Sequence, residues 1–503
     1  MNIEKIREII SDFENAHPVD EYMAYGFRVW PILRVDLGDK LYRFSKSNPP
    51  RDFVPSPPPT LRKRFTRIFG RHIFNARDRF LDLTSPVLPE ADIIILTYPD
   101  RVMEINSQVY NYTVDPLARK LEERGRHTRI WQLGEPYARR AREPIWISAE
   151  LERERHRIIR SRVLPEKTPP PDWFNAFAGL TRTHFGRPIT WSESEYQIRD
   201  VVISSLTFGK WFKRVSNGLL ILDCWSNLKS MAATMAAKHL GIPTLDFQHG
   251  VNGPPYFGWK DAPSETYEVF PEMFWTWGQD STTTLLIANN GSIPPSAIIT
   301  GGNLWTNMWR QLTDPTLKEE VSRAKGLSAR YEKTILITLQ GDIDIESKLR
   351  HAIEQGPSDW LWLIRVHRQT PAQLDVIADS FDSLRHKGVL VREATALPLY
   401  ALLQASDCHI TGYSTCAMEA LAFDVPTVLL HPSGPDIYGR FIENGSMCYI
   451  DRREDLLPAI MKCQEVPRVV LQESADMALA PSVASDAALE AVLAIVRGER
   501  VIE

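Results

Sequence analysis

Two groups of polar residues in the second half of the chain have the chemistry to hold a phosphate. Each group follows an apolar run typical of a buried strand, one ending at Val366 and the other at Ile410. The cations and hydroxyls concerned are Arg365, His367, Arg368, Tyr413, Ser414 and Thr415. Charged side chains bind phosphate through strong hydrogen bonds, and a turn that opens a helix adds backbone N–H groups. We therefore predict an anion site; the alternative is a capped helix in a parallel sheet without a ligand.

One carboxylate accompanies these phosphate-binding candidates. Glu419 follows Thr415 by four residues, which is about one turn of the helix predicted to open at Cys416. Its oxygens suit the hydroxyl groups of a ribose or a sugar, so we count it with the same site. The alternative is a capping or surface carboxylate that binds nothing.

A proton acceptor is predicted in the first half of the chain, where a buried strand ends on the triplet Gln248-His249-Gly250. A neutral imidazole takes a proton near neutral pH, so His249 is the predicted general base. Asp115 and Asp246 are weaker candidates for the same role. The alternative for His249 is an interior histidine paired with a neighbouring group.

The predicted contacts of an acceptor substrate are Gln248, Gly250 and Arg101. A glycine at the end of a strand lets a substrate approach the backbone closely. Arg101 follows the first predicted strand, Asp92–Thr97, and suits an anionic group of an acceptor. The alternative for Arg101 is an ordinary surface arginine.

Alternating strands and helices must position these residues. Short apolar runs recur between helical patterns with short loops, which predicts parallel, doubly wound sheets. The predicted strands lie within Asp92–Thr97, Thr128–Leu133, Gly218–Cys224, Ile242–Phe247, Phe274–Gly278, Ala297–Gly302, Lys333–Gln340, Trp360–Val366, Gly388–Arg392, Cys408–Ile410 and Pro426–Leu430. The chain contains neither GxGxxG nor GxxxxGK[ST], so dinucleotide dehydrogenases and P-loop nucleotide hydrolases are poorly supported.

The fold class predicted is α/β, with two Rossmann-like domains of doubly wound parallel sheets. The predicted boundaries are 86–305 for the acceptor domain and 306–480 for the nucleotide-sugar domain, followed by a C-terminal helix in 481–503. Residues 1–85 are predicted to form a helical extension. Isoleucines recur on one helical face near its start, and prolines between 49 and 59 form a stiff linker.

Residues 61–79 combine Lys and Arg on one side of a helical pattern with Phe and Ile on the other. We favour packing of the apolar side on the rest of the protein. Peripheral contact with the inner face of the cytoplasmic membrane is one alternative, and guidance of a polyanionic acceptor is another.

The composition is that of a soluble globular protein. Of 503 residues, 43% are hydrophobic and 24% charged, and the formal net charge of -4 argues against nucleic acid as the main partner. Five cysteines without CxxC spacing indicate reduced thiols, and neither a metal site nor a cofactor is predicted. The N-terminus lacks a secretory pattern and no apolar run reaches about 20 residues, so the expected location is the cytoplasm.

Two charged stretches are predicted to have no role in a site. Ala138–Arg162 is densely charged and is expected to be solvated. Asp342-Ile343-Asp344 has the spacing of a metal-binding DxD motif, but this spacing is common by chance. We favour a turn in which Asp344 caps the helix that follows.

Five segments, in their order along the chain, resemble the GT-B glycosyltransferases of bacterial surface polysaccharides, the enzymes of the capsule and teichoic-acid type. The segments are GIPTLDFQHG; the pair FWTWG and IITGGN; ITLQGDID; IRVHR; and SDCHITGYSTCAMEALAFDVPTVLL followed by YGRFIENG. They cover most of residues 90–450. One departure is that related transferases often show His-Pro where this chain has His367-Arg368.

The resemblance implies an N-terminal acceptor domain, a C-terminal donor domain and a nucleotide-activated sugar in the cleft between them. It implies transfer of that sugar, without a bound metal, to a growing surface polysaccharide or a lipid-linked glycan. In such clefts, cations and N–H groups at a helix start hold the leaving phosphate. A nucleotide-sugar epimerase of the same fold and a non-catalytic export or assembly protein remain the alternatives.

Overall fold

The computed structural model describes residues 3–46, 90–99, 101–134, 140–160, 167–215, 218–251, 267–288, 293–339, 343–366 and 372–499. The basic segment 61–79, Asp342, His367 and Arg368 lie outside these residues. Within the described part, the strands form two large sheets of seven and six strands and two small antiparallel pairs.

The strands are, in chain order, β1 (Met23–Ala24), β2 (Phe27–Arg28), β3 (Ile93–Thr97), β4 (Val102–Ile105), β5 (Gln108–Asn111), β6 (Thr128–Gln132), β7 (Ile145–Trp146), β8 (Leu219–Leu222), β9 (Thr244–Phe247), β10 (Met273–Thr276), β11 (Ile298–Thr300), β12 (Lys333–Leu339), β13 (Trp360–Val366), β14 (Val389–Leu390), β15 (Cys408–Thr411), β16 (Thr427–Leu429) and β17 (Met447–Tyr449).

The helices are α1 (Ile3–Ala16), α2 (Trp30–Lys46), α3 (Asp115–Glu123), α4 (Ser148–Arg160), α5 (Phe174–Phe185), α6 (Trp191–Phe212), α7 (Leu228–His239), α8 (Gln279–Ala288), α9 (Leu304–Gln311), α10 (Pro315–Ser328), α11 (Ile343–Gln355), α12 (Ala372–Phe381), α13 (Arg392–Ala396), α14 (Leu399–Leu403), α15 (Cys416–Leu421), α16 (Ser433–Glu443), α17 (Leu456–Lys462), α18 (Arg468–Ala478) and α19 (Ser482–Val496).

The seven-stranded sheet, with the helices around it, forms what we call the N-lobe. Its strand order is β11-β10-β9-β8-β3-β6-β7, and all neighbours run parallel. The chain starts in the middle at β3, builds to one side through β6 and β7, and then crosses to β8. The strand order therefore reverses between β3 and β8, which is where open α/β sheets bind ligands.

The six-stranded sheet forms the C-lobe and follows the same plan. Its order is β14-β13-β12-β15-β16-β17, again entirely parallel, so the reversal lies between β12 and β15. The predicted α/β class with two doubly wound parallel sheets is confirmed.

The N-terminal helices α1 and α2 pack on the N-lobe as part of its core. Phe13 and Trp30 stack at 5.6 Å between ring centroids, and Trp173 meets Trp30 edge-on at 5.6 Å. Glu14 is buried with them but accepts hydrogen bonds from Trp30 Nε1 and Arg34 Nε, each at 2.7 Å. Because the carboxylate is paired, this layer closes without an isolated buried charge.

The prediction that Ala138–Arg162 is solvated is wrong where β7 and α4 pack on the rest of the protein, although most of the described residues in this stretch are partly or fully exposed. β7 forms the edge of the large sheet, and α4 buries Leu151 and Ile158 against the N-lobe. Two glutamates of α4 are buried as well, but Glu150 pairs with Arg153 at 2.8 Å and Glu154 with Arg157. Pairing three residues apart on the helix removes the desolvation cost that free charges would carry there.

The predicted cap of α11 is also wrong. The helix begins at Ile343, so Asp344 lies inside it rather than in front of it.

The chain crosses back to the N-lobe at its end. The stretch Arg468–Val496 is long and apolar enough to span a membrane, and its most apolar part has a mean hydropathy of 1.6. However, 44% of that part is buried inside the protein. The stretch is broken at residues 479–481 into α18 and α19, and α19 packs Leu489 and Val492 on the same cluster as Ile93 and Ile221. The helix α19 is therefore a core element of the N-lobe, whereas α18 packs with α15 and α16 of the C-lobe.

The hairpin β4–β5 and the helices after β11 join the lobes on another side. Met103 and Ile105 of the hairpin share one apolar cluster with Trp305 and Trp309 of α9 and with Leu336 of the C-lobe sheet. The first residues after the N-lobe sheet thus already belong to the C-lobe core.

The docking of α19 gives a stability prediction. Leu489→Ala should destabilise the protein by about 2–5 kcal/mol, because the leucine is fully buried and its removal leaves a cavity. The measurement is the midpoint of urea unfolding followed by tryptophan fluorescence.

Val483→Ala is the matched control on the same helix, since this valine is 73% exposed. Its effect should stay within about 0.5 kcal/mol. Equal losses in the two variants would contradict the docking of α19 as described.

Candidate functional site

The reversal point of the N-lobe carries a buried carboxylate. Thr97 ends β3 and Asp223 follows β8, so the parallel register places the two residues side by side. The Thr97 hydroxyl donates to Asp223 Oδ2, and the backbone N–H of Tyr98 donates to the same oxygen at 3.3 Å. Asn111 Nδ2 in turn donates to Thr97 Oγ1 at 2.9 Å. These bonds hold Asp223 at the point where a ligand is expected.

Two further aspartates surround this pair. Asp246 is buried in β9 and accepts the backbone N–H of Trp225 at 2.9 Å. Burial, with the charge of Asp223 adding to it, raises the pKa of Asp246 to about 8. Asp115 accepts the backbone N–H of Asn111 at 2.8 Å, and burial raises its pKa to about 6. Asp246 is therefore mostly protonated at neutral pH.

His249 is half-buried beside this cluster. Burial, followed by the positive charge of Arg101, lowers the pKa of His249 to about 3, while a hydrogen bond to the backbone of Asp223 acts in the opposite direction. The ring is thus neutral at physiological pH, and a backbone acceptor orients it. The structure brings together Arg101 and His249, which the sequence placed on the same side of the site.

Gln248 is buried and fully engaged inside the protein. Its Nε2 donates to the Gly250 carbonyl at 2.7 Å and to Ser281 Oγ at 2.9 Å, and its Oε1 accepts the Trp277 N–H at 2.6 Å. The side chain therefore holds the loop that carries His249 and Gly250.

The reversal point of the C-lobe is lined by hydroxyl groups. Thr338 Oγ1 donates to Thr411 Oγ1 at 3.0 Å and lies 2.9 Å from His409 Nε2, while His409 Nδ1 lies 3.1 Å from Thr427 Oγ1. His409 is fully buried, and burial lowers its pKa to about 3. A neutral imidazole between two threonines keeps the ends of these strands in register.

The turn Tyr413–Thr415 follows directly. The Tyr438 hydroxyl of α16 donates to the carbonyls of Ser414 at 2.7 Å and Tyr413 at 3.2 Å. Ser414 Oγ accepts the backbone N–H of Cys416 at 3.4 Å, as a capping hydroxyl does. Thr415, the residue just before α15, makes no such capping bond.

Glu419 and Arg365 are both buried in the C-lobe behind the turn Tyr413–Thr415. Glu419 is 8% exposed and accepts the hydroxyl of Tyr400. Burial raises the pKa of Glu419, and the bonds from Tyr400 and Cys416 and the charge of Arg365 lower it. Arg365 is 7% exposed, with Nε 3.5 Å from the Leu397 carbonyl. His367 and Arg368, predicted at the same strand end, lie outside the described residues.

The two reversal points face each other across the cleft between the lobes. A Cβ placed on Gly250 would lie 3.7 Å from Thr415 Oγ1, so the predicted acceptor and donor sides meet at this glycine. The lobes are also joined by an ion pair, in which Arg440 of α16 lies 3.4 Å from Asp280 of α8.

Sequence reasoning missed Thr97, Asp223 and Tyr400. The first two stand at strand ends, and the signal that singled out the Gln248 triplet would have found them. Tyr400 has no local signal, because it lies in an apolar helix and reaches Glu419 only in the folded chain. Among the described residues, no cluster of three or more His, Cys, Asp or Glu is arranged to hold a metal.

Comparison with known proteins identifies the fold. No protein-family model and no curated protein matches the sequence. Among 178 matching chains of solved structures, S. aureus MnaA in a co-structure with UDP has a TM-score of 0.50 at 11% identity, covering 80% of this chain and 96% of that chain.

Two other solved structures are similar at lower scores. UDP-GlcNAc 2-epimerase from Neisseria meningitidis bound to UDP-GlcNAc gives 0.48 at 13% identity, covering 81% of this chain and 100% of its own. The wall teichoic acid polymerase TagF gives 0.47 at 10% identity, covering 86% and 98%. The MnaA likeness and the two sheet orders together show a GT-B-like fold, as the sequence predicted. They do not identify the activity.

The buried Asp246 gives a pH prediction. Its carboxyl binds a proton in the folded state up to about pH 8, whereas an unfolded aspartate releases it near pH 4. The folded state therefore loses stability as pH rises through this window, by at most about 1.4 kcal/mol per pH unit. Asp246→Asn removes this loss, since an amide does not ionise and its oxygen still accepts the Trp225 N–H.

The measurement is the free energy of unfolding of both proteins between pH 5 and pH 8. The stability of Asp246→Asn relative to the wild type should grow steadily with pH. Asp359→Asn, at an exposed turn, is the control and should show a constant difference. A constant difference for Asp246→Asn would show that this carboxyl is ionised throughout.

Proposed function

We propose that this protein is a glycosyltransferase that moves a sugar from a nucleotide-activated donor to a surface polysaccharide or a lipid-linked glycan. The observation that carries the proposal is the approach of the two lobes beside their strand-reversal points, where Gly250, in the loop after β9, lies against Thr415, in the turn after β15. Each reversal point is a ligand site in open α/β sheets. Two such sites in contact suit a reaction between two bound substrates.

The donor binds to the C-lobe in this proposal. The turn Tyr413–Thr415 offers hydroxyl and N–H groups to the phosphates, and Arg365 supplies positive charge from below. Glu419 accepts hydroxyl groups of the ribose or the sugar. His367 and Arg368 complete the phosphate contacts. UDP is a reasonable first nucleotide, since S. aureus MnaA has the same fold and was solved with it.

The acceptor binds to the N-lobe, where His249 serves as the general base and Arg101 holds an anionic group. The acceptor oxygen attacks the anomeric carbon, the bond from that carbon to the phosphate oxygen breaks, and His249 takes the hydroxyl proton. The nucleoside phosphate leaves with the electron pair of the broken bond. No metal takes part in these steps as we propose them.

Arg101 couples ligand binding to the strength of the base. Its charge is the second cause, after burial, of the low pKa of His249. An anion bound beside Arg101 offsets that charge and raises the pKa of His249, because a nearby cation disfavours the imidazolium. The base therefore becomes stronger when an anionic substrate is in place.

Nucleotide binding is the first test. At about 100 times its dissociation constant, a nucleotide should add about 2.7 kcal/mol of stability, visible as a rise in melting temperature. The panel is UDP, GDP, CDP and CMP, with adenosine as a control that lacks phosphate. No rise with any of the four would contradict the proposal and favour the export or assembly protein.

Turnover then separates the enzyme classes. Mass spectrometry of a donor panel should show release of the nucleoside phosphate only when an acceptor is present. A changed sugar still attached to its nucleotide, without any acceptor, would identify an epimerase instead.

The residue assignments give a separate prediction. His249→Ala should slow transfer by about a hundredfold to ten-thousandfold and leave nucleotide affinity unchanged, since the base acts only in the chemical step. His239→Ala, an exposed histidine at the end of α7, should be without effect.

Arg365→Ala should show the opposite pattern and weaken nucleotide binding itself. Arg453→Ala is its control, because the Arg453 side chain is 60% exposed on the same lobe. Normal transfer by His249→Ala would show that another group, such as Asp115, takes the proton.

A further inference from the structure

Tyr400 is a buried tyrosine that the proposed mechanism does not use. It lies on α14 and donates its hydroxyl to Glu419 Oε1. Its ring stacks on Trp309 of α9 at 5.8 Å with an interplanar angle of 19°. The stacking on α9 therefore fixes the position of the Tyr400 ring, and with it the hydroxyl, before any ligand arrives.

Tyr400 supplies a hydrogen-bond donor to a buried carboxyl group whose pKa is raised above its usual value, mainly by burial. A carboxylate 8% exposed loses most of its hydration, and burial alone favours the protonated acid. The groups that face it are the Tyr400 hydroxyl from α14, the Cys416 thiol from its own helix and the Arg365 guanidinium from β13. Tyr400 is the strongest of these in favouring the charged form.

Geometry also matters, because a carboxylate with one oxygen held can present the other in a fixed direction. Glu419 lies one turn beyond Thr415, whose Oγ1 would lie 3.7 Å from a Cβ placed on Gly250 of the N-lobe. Its small exposed edge is therefore next to the place where the sugar or ribose of a donor would lie.

We propose that Tyr400 is a positioning residue: it holds Oε1 of Glu419 so that the carboxyl group presents its other oxygen to a hydroxyl group of the nucleotide sugar. This inference rests on the proposed function. It depends on the hydrogen bond from Tyr400 to Glu419.

The test is Tyr400→Phe, which removes the hydroxyl and keeps the ring against Trp309. Affinity for UDP-GlcNAc, or for the donor that the turnover panel identifies, should fall about tenfold at pH 7, while kcat changes little. We call the loss of donor affinity at low pH, where Glu419 gains a proton, the acidic limb of the affinity profile. In Tyr400→Phe this limb should move to higher pH, because Glu419 loses the donor that favours its charged form. A purely structural tyrosine would not move that limb.

Glu419→Gln provides the second variant. Its amide oxygen still accepts the Tyr400 hydroxyl, but it does not titrate, so affinity should be weak and independent of pH across the acidic limb. Adding Tyr400→Phe to Glu419→Gln should weaken binding less than it does in the wild type, since the two residues act as one unit.

Tyr267→Phe is the matched control. It removes another buried hydroxyl that donates to a carboxylate, Asp20 at 2.7 Å, in the N-terminal layer away from the cleft. Its affinity and pH profile should equal those of the wild type.

The outcomes separate the two proposals. A wild type that binds no nucleotide overturns the proposed function and this inference with it. A wild type that binds, with Tyr400→Phe unchanged in affinity and profile, overturns the role of Tyr400 alone. If Tyr400→Phe does not fold, an acidic limb that persists in Glu419→Gln overturns the inference instead.

Discussion

The close backbone packing between the end of the C-lobe and the N-lobe sheet is the contact on which the cleft depends. The Ala480 N–H donates to the Trp277 carbonyl at 2.6 Å, and a Cβ on Gly302 would lie 2.8 Å from the Ala480 carbonyl. A Cβ on Gly278 would collide with the backbone of Met477 and Ala478. Only glycines allow this approach. These backbone contacts, together with the packing of α19 in the N-lobe core, fix the angle at which the two lobes face each other.

Charge in the N-lobe site follows from burial rather than from residue type. Asp246 is a carboxylic acid that is mostly neutral at pH 7, and His249 is a base that stays neutral far below it. Burial is the largest cause of both pKa shifts. The charge of Asp223 raises the pKa of Asp246 further, and the charge of Arg101 lowers the pKa of His249 further. Arg101 is thus a cation next to a neutral imidazole, an arrangement that favours an incoming anion.

The two lobes also share packed side chains. The β4–β5 hairpin leaves the N-lobe just after Arg101 and buries Met103 and Ile105 with Trp309 of α9. Trp309 stacks on Tyr400, which bonds Glu419. One continuous set of packed side chains therefore runs from the N-lobe side of the cleft to the C-lobe side. A shift of the hairpin would be felt at Glu419 because packed cores transmit displacement.

The sequence alone determined the two parallel sheets and the positions of polar residues at strand ends, because strand period and apolar runs are local properties. It did not determine the packing of β7 and α4 on the N-lobe, where the buried glutamates of α4 are paired with arginines. Nor did it determine the return of α19 to the first lobe. The site divides in the same way. His249 and Ser414 could be found from their place after a strand, whereas the engagement of Gln248, the burial of Arg365 and the Tyr400–Glu419 bond could not. Those properties depend on neighbours far apart in the chain, and only the tertiary structure decides burial, pairing and therefore charge.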